Sequence, residues 1–414
     1  MKVQNIIWKI KHILYEVSEV LYLVMFSLIL SYRFLGTTQF FEEWNILNTE
    51  NKIVLELLSF FFVKPFALLG IITVLRYLCS KTYNIKQYLL AASLVFAAVL
   101  VFQRHDSMPY ALTLILLLIG AKDISFQKLM RLYFSIVIFW SIITMVAAQL
   151  GIITNLVWNV EGRNIRISFG FIYPTDFAAH IFFMVLCYWY IRGERFHCIE
   201  AGITAVLGGF VYLFCEARCS TLMLLLLSLV MFYSQFRHIR SKKRNMEYQM
   251  CSVLSSLLVF VPLMCSAFIH FFSMFFTAGV KYMQGFNKLI SGRLSLAKKA
   301  IDIFGFQLWG SDIPMVGNGS KETYASKYFY VDSTYLQLSL LYGVVFLTLI
   351  LIVFLLVGEQ ARKRKDWILL WIIALASIHG VIEQHLVELE YFPFLFAAFA
   401  DMSRSKKKRH GKKK

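Results

Sequence analysis

Long apolar runs decide most of what this chain can fold into. In hydrocarbon every backbone amide and carbonyl must be satisfied within the protein, and an α-helix does so within a single segment. A core of ~30 Å takes about 20 apolar residues in helical form. Runs of that length, or close to it, lie at about 17–35, 53–78, 88–103, 108–121, 129–151, 171–191, 199–215, 219–236, 250–273, 333–357, 367–383 and 387–402. They predict an all-α, polytopic integral membrane protein with about 12 transmembrane helices. Residues 1–273 would carry the first nine helices, 274–332 a long extracellular loop, 333–402 the last three helices and 403–414 a basic cytoplasmic tail. Composition agrees, with 59% hydrophobic and only 16% charged residues and a mean hydropathy of +0.65. The last two runs are separated only by "EQHLVE", so a re-entrant pair is an alternative to two full crossings.

The net charge of +18 suggests nucleic acid until it is divided by position. The tail "SRSKKKRHGKKK", the "RHIRSKKR" run and the "ARKRK" run hold much of it, and each flanks an apolar run. Lys and Arg collect in cytoplasmic loops and are drawn to anionic lipid heads, so membrane lipids and not nucleic acid account for the excess. With the amino terminus inside, Arg76, Lys81, Lys86, Lys122, Lys128, Arg192, Arg195 and Arg362 to Lys365 all fall on the cytoplasmic side, which predicts a multi-pass protein of the cell membrane with both termini cytoplasmic. Lys2, Lys9 and Lys11 lead into an apolar run with no small-residue cleavage site behind it, so the first span is expected to remain as an anchor. The seven cysteines are scattered through apolar runs and read as packing residues.

Ionisable groups near a bilayer are costly and need a reason to be there. On this topology they gather toward the outer face. Arg163 and Arg166 precede the sixth run, Asp176 and His180 sit one helical turn apart inside it, Glu216 and Arg218 lie between the seventh and eighth, Arg293 is in the long loop, and Asp332 leads into the tenth beside Tyr335. Each has a plainer reading. Pro174 suits a first helical turn, where Asp176 would satisfy free amides; His180 could bond a neighbouring helix; Arg218 could snorkel to lipid phosphates. The long loop, punctuated by glycines, predicts short amphipathic helices on the outer surface, with Lys281, Lys288, Lys298 and Lys299 solvated or lipid-facing. No Walker loop, HExxH or GxSxG string is present.

Four pieces, in order, resemble a family. "RISFGFIYPTDFAAH" at 166–180, "EARCSTLML" from Glu216, "SGRLSLAKKAIDIF" with the following "WGSDIPMVGNG", and "VDSTYLQLSLLYG" from Val331 are similar to segments of Gram-positive Wzy-type polysaccharide polymerases, relatives of the O-antigen polymerases and ligases. Ala217 stands where serine is common, and Asp332 and Ser333 stand where the ligase relatives carry His and Asn, which speaks against a ligase-style histidine mechanism at that position. The resemblance spans about 160–400. It implies undecaprenyl-diphosphate-linked oligosaccharide repeat units as substrates on the outer leaflet, with a flippase and chain-length regulator proteins as partners, and neither a cofactor nor a metal. Arg163, Arg166, Arg218 and Arg293 would bind diphosphate; His180, Glu216 and Tyr335 would bind sugar. Asp332, Asp176 and Arg218 would carry the chemistry, with either carboxylate as base.

Two other function classes compete. A metal-dependent glycosyltransferase using a single lipid-phosphate sugar would place acids in the first outer loop, where Glu42 and Glu43 stand. A lipid-linked oligosaccharide flippase would need a polar path through several spans to both faces.

Overall fold

The computed structural model describes residues 2–41, 43, 65–80, 84–104, 109–159, 165–243, 249–317 and 328–403. It is an all-α membrane protein. Seven of its helices are long and apolar enough to cross a bilayer, and three shorter apolar helices accompany them. In chain order they begin with α1 (Lys2–Leu35), α2 (Phe66–Cys79), α3 (Ile85–Arg104), α4 (Pro109–Gly120) and α5 (Phe126–Gln149). A two-stranded hairpin follows, β1 (Val157–Trp158) with β2 (Arg166–Ile167), and then α6 (Pro174–Arg192), α7 (Cys198–Cys215), α8 (Arg218–Lys243) and α9 (Ser252–Met274). Two short helices, α10 (Lys281–Leu289) and α11 (Arg293–Phe304), precede α12 (Thr334–Gln337), α13 (Val344–Lys363) and α14 (Trp367–His379). The tail from residue 404, the first half of the second apolar run and Arg163 lie outside the described residues.

Several expected spans are modified, each for a physical reason. The run 333–357 is not one helix. It is α12, a π-helical turn over Leu338–Tyr342, a break at Gly343, and then α13. Gly343 adopts φ 95°, and a Cβ there would collide with the carbonyl of Leu308, so residues 307–311 lie directly in the break. They satisfy the interrupted backbone: Val344 N donates to Gln307 O at 3.0 Å and Ser311 N to Leu340 O at 2.8 Å. Non-helical backbone at membrane depth is tolerated where protein buries and bonds it.

The last run, 387–402, is not a helix either. From Val387, whose carbonyl accepts from Tyr110 Oη at 3.1 Å, it passes Tyr133, whose Oη donates to Glu390 O at 2.9 Å and Tyr391 O at 2.7 Å. It ends at Asp401, which accepts from Phe126 N at 2.9 Å and donates to Ile124 O at 2.7 Å at the far end of α5. The segment thus threads the bundle as turns and a short 3₁₀ piece, with Leu389 and Tyr391 to Ala400 all buried.

Among the cations assigned to cytoplasmic loops, Arg76 and Lys122 are buried instead. Arg76 donates to the carbonyls of Gly120, at 2.6 Å, and Lys122, so a positive group satisfies the free carbonyl end of α4. Within the long loop α10 and α11 do form, and α11 packs Leu294, Ala297 and Ala300, spaced three apart on one face, against the bundle. Lys298 pairs with Asp302 on the exposed side of α11.

Candidate functional site

The hairpin and the turn after it build the first wall. Phe169 and Gly170 both take positive φ, and a Cβ on Gly170 would press within about 3 Å of Ala148, Ile153 and the Thr144 carbonyl. That tight turn lets Gln39 N bond Gly170 O at 2.9 Å and Ile172 N bond Thr37 O at 3.0 Å, tying the loop to the end of α1. Pro174 then occupies the first turn of α6, where no amide hydrogen is needed. Asp176 follows in the same turn, but no side-chain cap bond closes this helix, so its carboxylate is not spent on capping.

A partly open cavity of about 580 Å³ lies at the end of the bundle where α6 and α8 begin and α7, α9 and α14 finish. Arg166, Asp176, Glu216, Arg218, Arg293 and Asp332, drawn from four separated stretches of sequence, all line it. Tyr173, Tyr328, Tyr330, Phe286 and Glu383 complete much of the wall. Its size suits a small-molecule or saccharide ligand.

The arginines are not equivalent. Arg293 is fully engaged: Nη1 and Nη2 donate to the two oxygens of Glu383 at 2.8 and 3.3 Å, Nη1 also donates to Ile382 O at 2.7 Å, and Nε lies 3.1 Å from Asp332 Oδ2. The Asp332 contact is an ion pair without hydrogen-bond alignment, because Oδ2 accepts no hydrogen bond among the described residues. The assignment of Arg293 to a diphosphate clamp is therefore corrected: its fork holds two carboxylates. Arg166 is buried, donating through Nε to Cys215 O at 2.9 Å and through Nη1 to Tyr173 Oη at 3.1 Å. Arg218 has a side chain 57% exposed and gives one nitrogen to Glu216 Oε1 at 2.9 Å. Burial pushes the carboxyl of Asp332 up to about 6 despite the opposing pull of Arg293.

Two predicted sugar contacts are also corrected. His180 is fully buried, with Nε2 3.0 Å from Thr37 Oγ1 and its ring stacked at 4.0 Å on Tyr391, so it joins helices and does not line the cavity. Tyr335 is buried and donates to Ser377 O at 3.0 Å, joining α12 to α14. Glu43 accepts from both Thr154 N and Oγ1, at 2.8 and 2.7 Å, and so stabilises the start of a loop; Glu42 lies outside the described residues. No group of three or more His, Cys, Asp or Glu is arranged for a metal among the described residues.

The short "EQHLVELE" stretch supplies what sequence reading missed. Read only as a spacer between apolar runs, it places Glu383 in the cavity wall and His385, Glu388 and Glu390 directly behind. Glu390 is gripped by Arg33 through Nε and Nη2 at 3.2 and 2.6 Å. The available signal was four ionisable residues within eight positions, flanked by apolar runs, where charge burial is expensive unless paired. No protein-family model, curated protein or solved structure matches this chain.

Proposed function

We propose that this protein is a membrane glycosyltransferase that polymerises undecaprenyl-diphosphate-linked oligosaccharide repeat units on the outer face of the cell membrane. The observation that carries this reading is the convergence of Arg166, Arg218, Asp176, Glu216, Arg293 and Asp332 on one cavity. These are the residues singled out by four short motifs resembling the Wzy-type polymerases. Both termini are cytoplasmic in this reading, and the cavity end of the bundle faces outward.

In the reaction, a hydroxyl oxygen of one repeat unit attacks the anomeric carbon of the reducing-end sugar of the growing chain. The bond from that carbon to the diphosphate oxygen breaks, and its electron pair leaves with the lipid diphosphate. Asp332 takes the hydroxyl proton, its position near pH 6 suiting a base at neutral pH. Arg293 holds that carboxylate in place. Arg218 at the exposed margin and Arg166 within the wall stabilise the charge developing on the departing diphosphate. Three tyrosines, Tyr173, Tyr328 and Tyr330, offer ring faces to sugar.

A transport path is disfavoured by the interior. Beyond the cavity wall the bundle closes with Phe126, Phe182, Phe183, Phe394 and Phe396, all buried, so the polar groups do not continue as a stripe to the other end. Reconstitution with a defined lipid-linked repeat unit tests the proposal. A ladder of products with release of lipid diphosphate is expected, and substrate translocation without glycosyl transfer would sink it.

A further inference from the structure

Behind Asp176 lies a histidine that the mechanism above does not use. His385 has a side chain only 1% exposed, and its Nδ1 is 2.8 Å from Glu388 Oε2. Its Nε2 lies 3.9 Å from Asp176 Oδ1 and has no hydrogen-bond partner among the described residues. The ring stacks on Tyr391 with centroids 3.9 Å apart and planes at 29°. An imidazole thus stands between two carboxylates, over the electron-rich face of a phenol, with one carboxylate reaching the cavity. An unpaired polar atom in such a place is costly, and a shared positive charge removes the cost.

We infer that His385 is a positioning residue that, anchored by Glu388, holds Asp176 as a carboxylate directed into the cavity, where it accepts a hydrogen bond from a saccharide hydroxyl. Glu388 fixes the ring by taking Nδ1–H, which leaves Nε2–H to face Asp176. Asp176 then has a fixed countercharge behind it and a free lone pair in front. The other groups around His385 are His379 of α14, with ring centroids 6.1 Å apart, His180 on the opposite face of Tyr391, and Glu383 and Asp332 with their shared Arg293. His379 bonds Ser220 Oγ at 3.2 Å and His180 bonds Thr37, so neither competes for Asp176. The sugar ligand rests on the proposed polymerase activity; the arrangement of the three side chains does not.

The test therefore has two arms. In the first, the full chain, labelled with ¹⁵N-histidine and placed in nanodiscs, is titrated by NMR, with His385→Gln identifying the signal. Both ring nitrogens of His385 are expected to be protonated at neutral pH, and Asp176→Asn and Glu388→Gln, each checked for folding by thermal unfolding, should each lower its titration midpoint. A neutral His385 in the unmodified chain, or a midpoint unmoved by Asp176→Asn, overturns the arrangement. In the second arm, His385→Gln should raise KM for the lipid-linked repeat unit by ~10-fold while kcat stays within about twofold. An unchanged KM with normal polymer formation overturns the positioning role. Absence of polymer with the unmodified protein refutes the polymerase reading instead, and the titration still decides the arrangement.

Discussion

Arg293 and Glu383 form a two-pronged pair, Nη1–Oε1 at 2.8 Å and Nη2–Oε2 at 3.3 Å, that fastens the short helix α11 to the turn after α14. Removing one partner of a buried pair strands the other charge, a loss of ~3–5 kcal/mol. Arg293→Ala should therefore lower unfolding stability by that order, measured by denaturant titration in detergent. Arg293→Lys should recover part of the stability, because a point charge still neutralises the carboxylates although the fork is lost. Equal stability of Ala and native protein would show that the pair does not fasten α11.

Asp332 predicts the acidic limb of activity. Its folded-state pKa is raised from 3.8 to about 6, so below that value the carboxyl is protonated and cannot take a proton. The rate should fall as pH drops through about 6 and be flat above it until another group titrates. Asp332→Asn should lose roughly 10²-fold in rate and lose that limb while still binding lipid substrate. A variant with full rate and the same limb would transfer the base role to Asp176.

Arg218 separates function from stability. It is largely exposed and leans on one carboxylate, so Arg218→Ala should change stability by no more than about 0.5 kcal/mol. Activity should nonetheless fall by ~10²-fold or more if the side chain stabilises a leaving diphosphate. Arg218→Lys should be nearly as impaired, since one ammonium cannot reproduce paired contacts. Product ladders from the three proteins, at matched amounts in membranes, make the comparison.

Gly343 should tolerate no side chain. With φ 95° and the Leu308 carbonyl against the site of a Cβ, Gly343→Ala should cost roughly 3 kcal/mol or more and reduce folded yield. Gly70 is the control: it lies in α2 with nothing within 4 Å of an added Cβ, and Gly70→Ala should leave yield unchanged or improved. Similar losses at both positions would show that α2 and the α12–α13 break are equally intolerant for some other reason.

Sidedness is open to direct labelling. In a background without native cysteines, a cysteine at Lys298 on α11 should react with an impermeant maleimide added to intact cells. One at Gln249, just before α9, should react only after permeabilisation. The reverse pattern would invert the topology.

The sequence by itself determined the membrane class, because spanning hydrocarbon demands apolar length that composition displays directly. It also indicated Pro174 at the start of α6, the two short helices of the long loop, and six of the cavity residues, since a charge next to an apolar run stands out by its cost. Apolarity did not reveal backbone conformation: runs 333–357 and 387–402 read as spans, yet one breaks at Gly343 and the other threads the bundle without forming a helix. Those departures depend on partners far away in sequence, residues 307–311 for the first and Tyr110 and Tyr133 for the second. Tertiary structure alone also decided which charges are free. Arg76, Arg166, Arg218 and Arg293 look alike in one dimension, but one ends a helix, one braces a hairpin, one stands exposed and one is saturated by two carboxylates. Ion pairing acts over a few ångströms in space, and the Glu383 that neutralises Arg293 lies at the other end of α14, where no local pattern connects them.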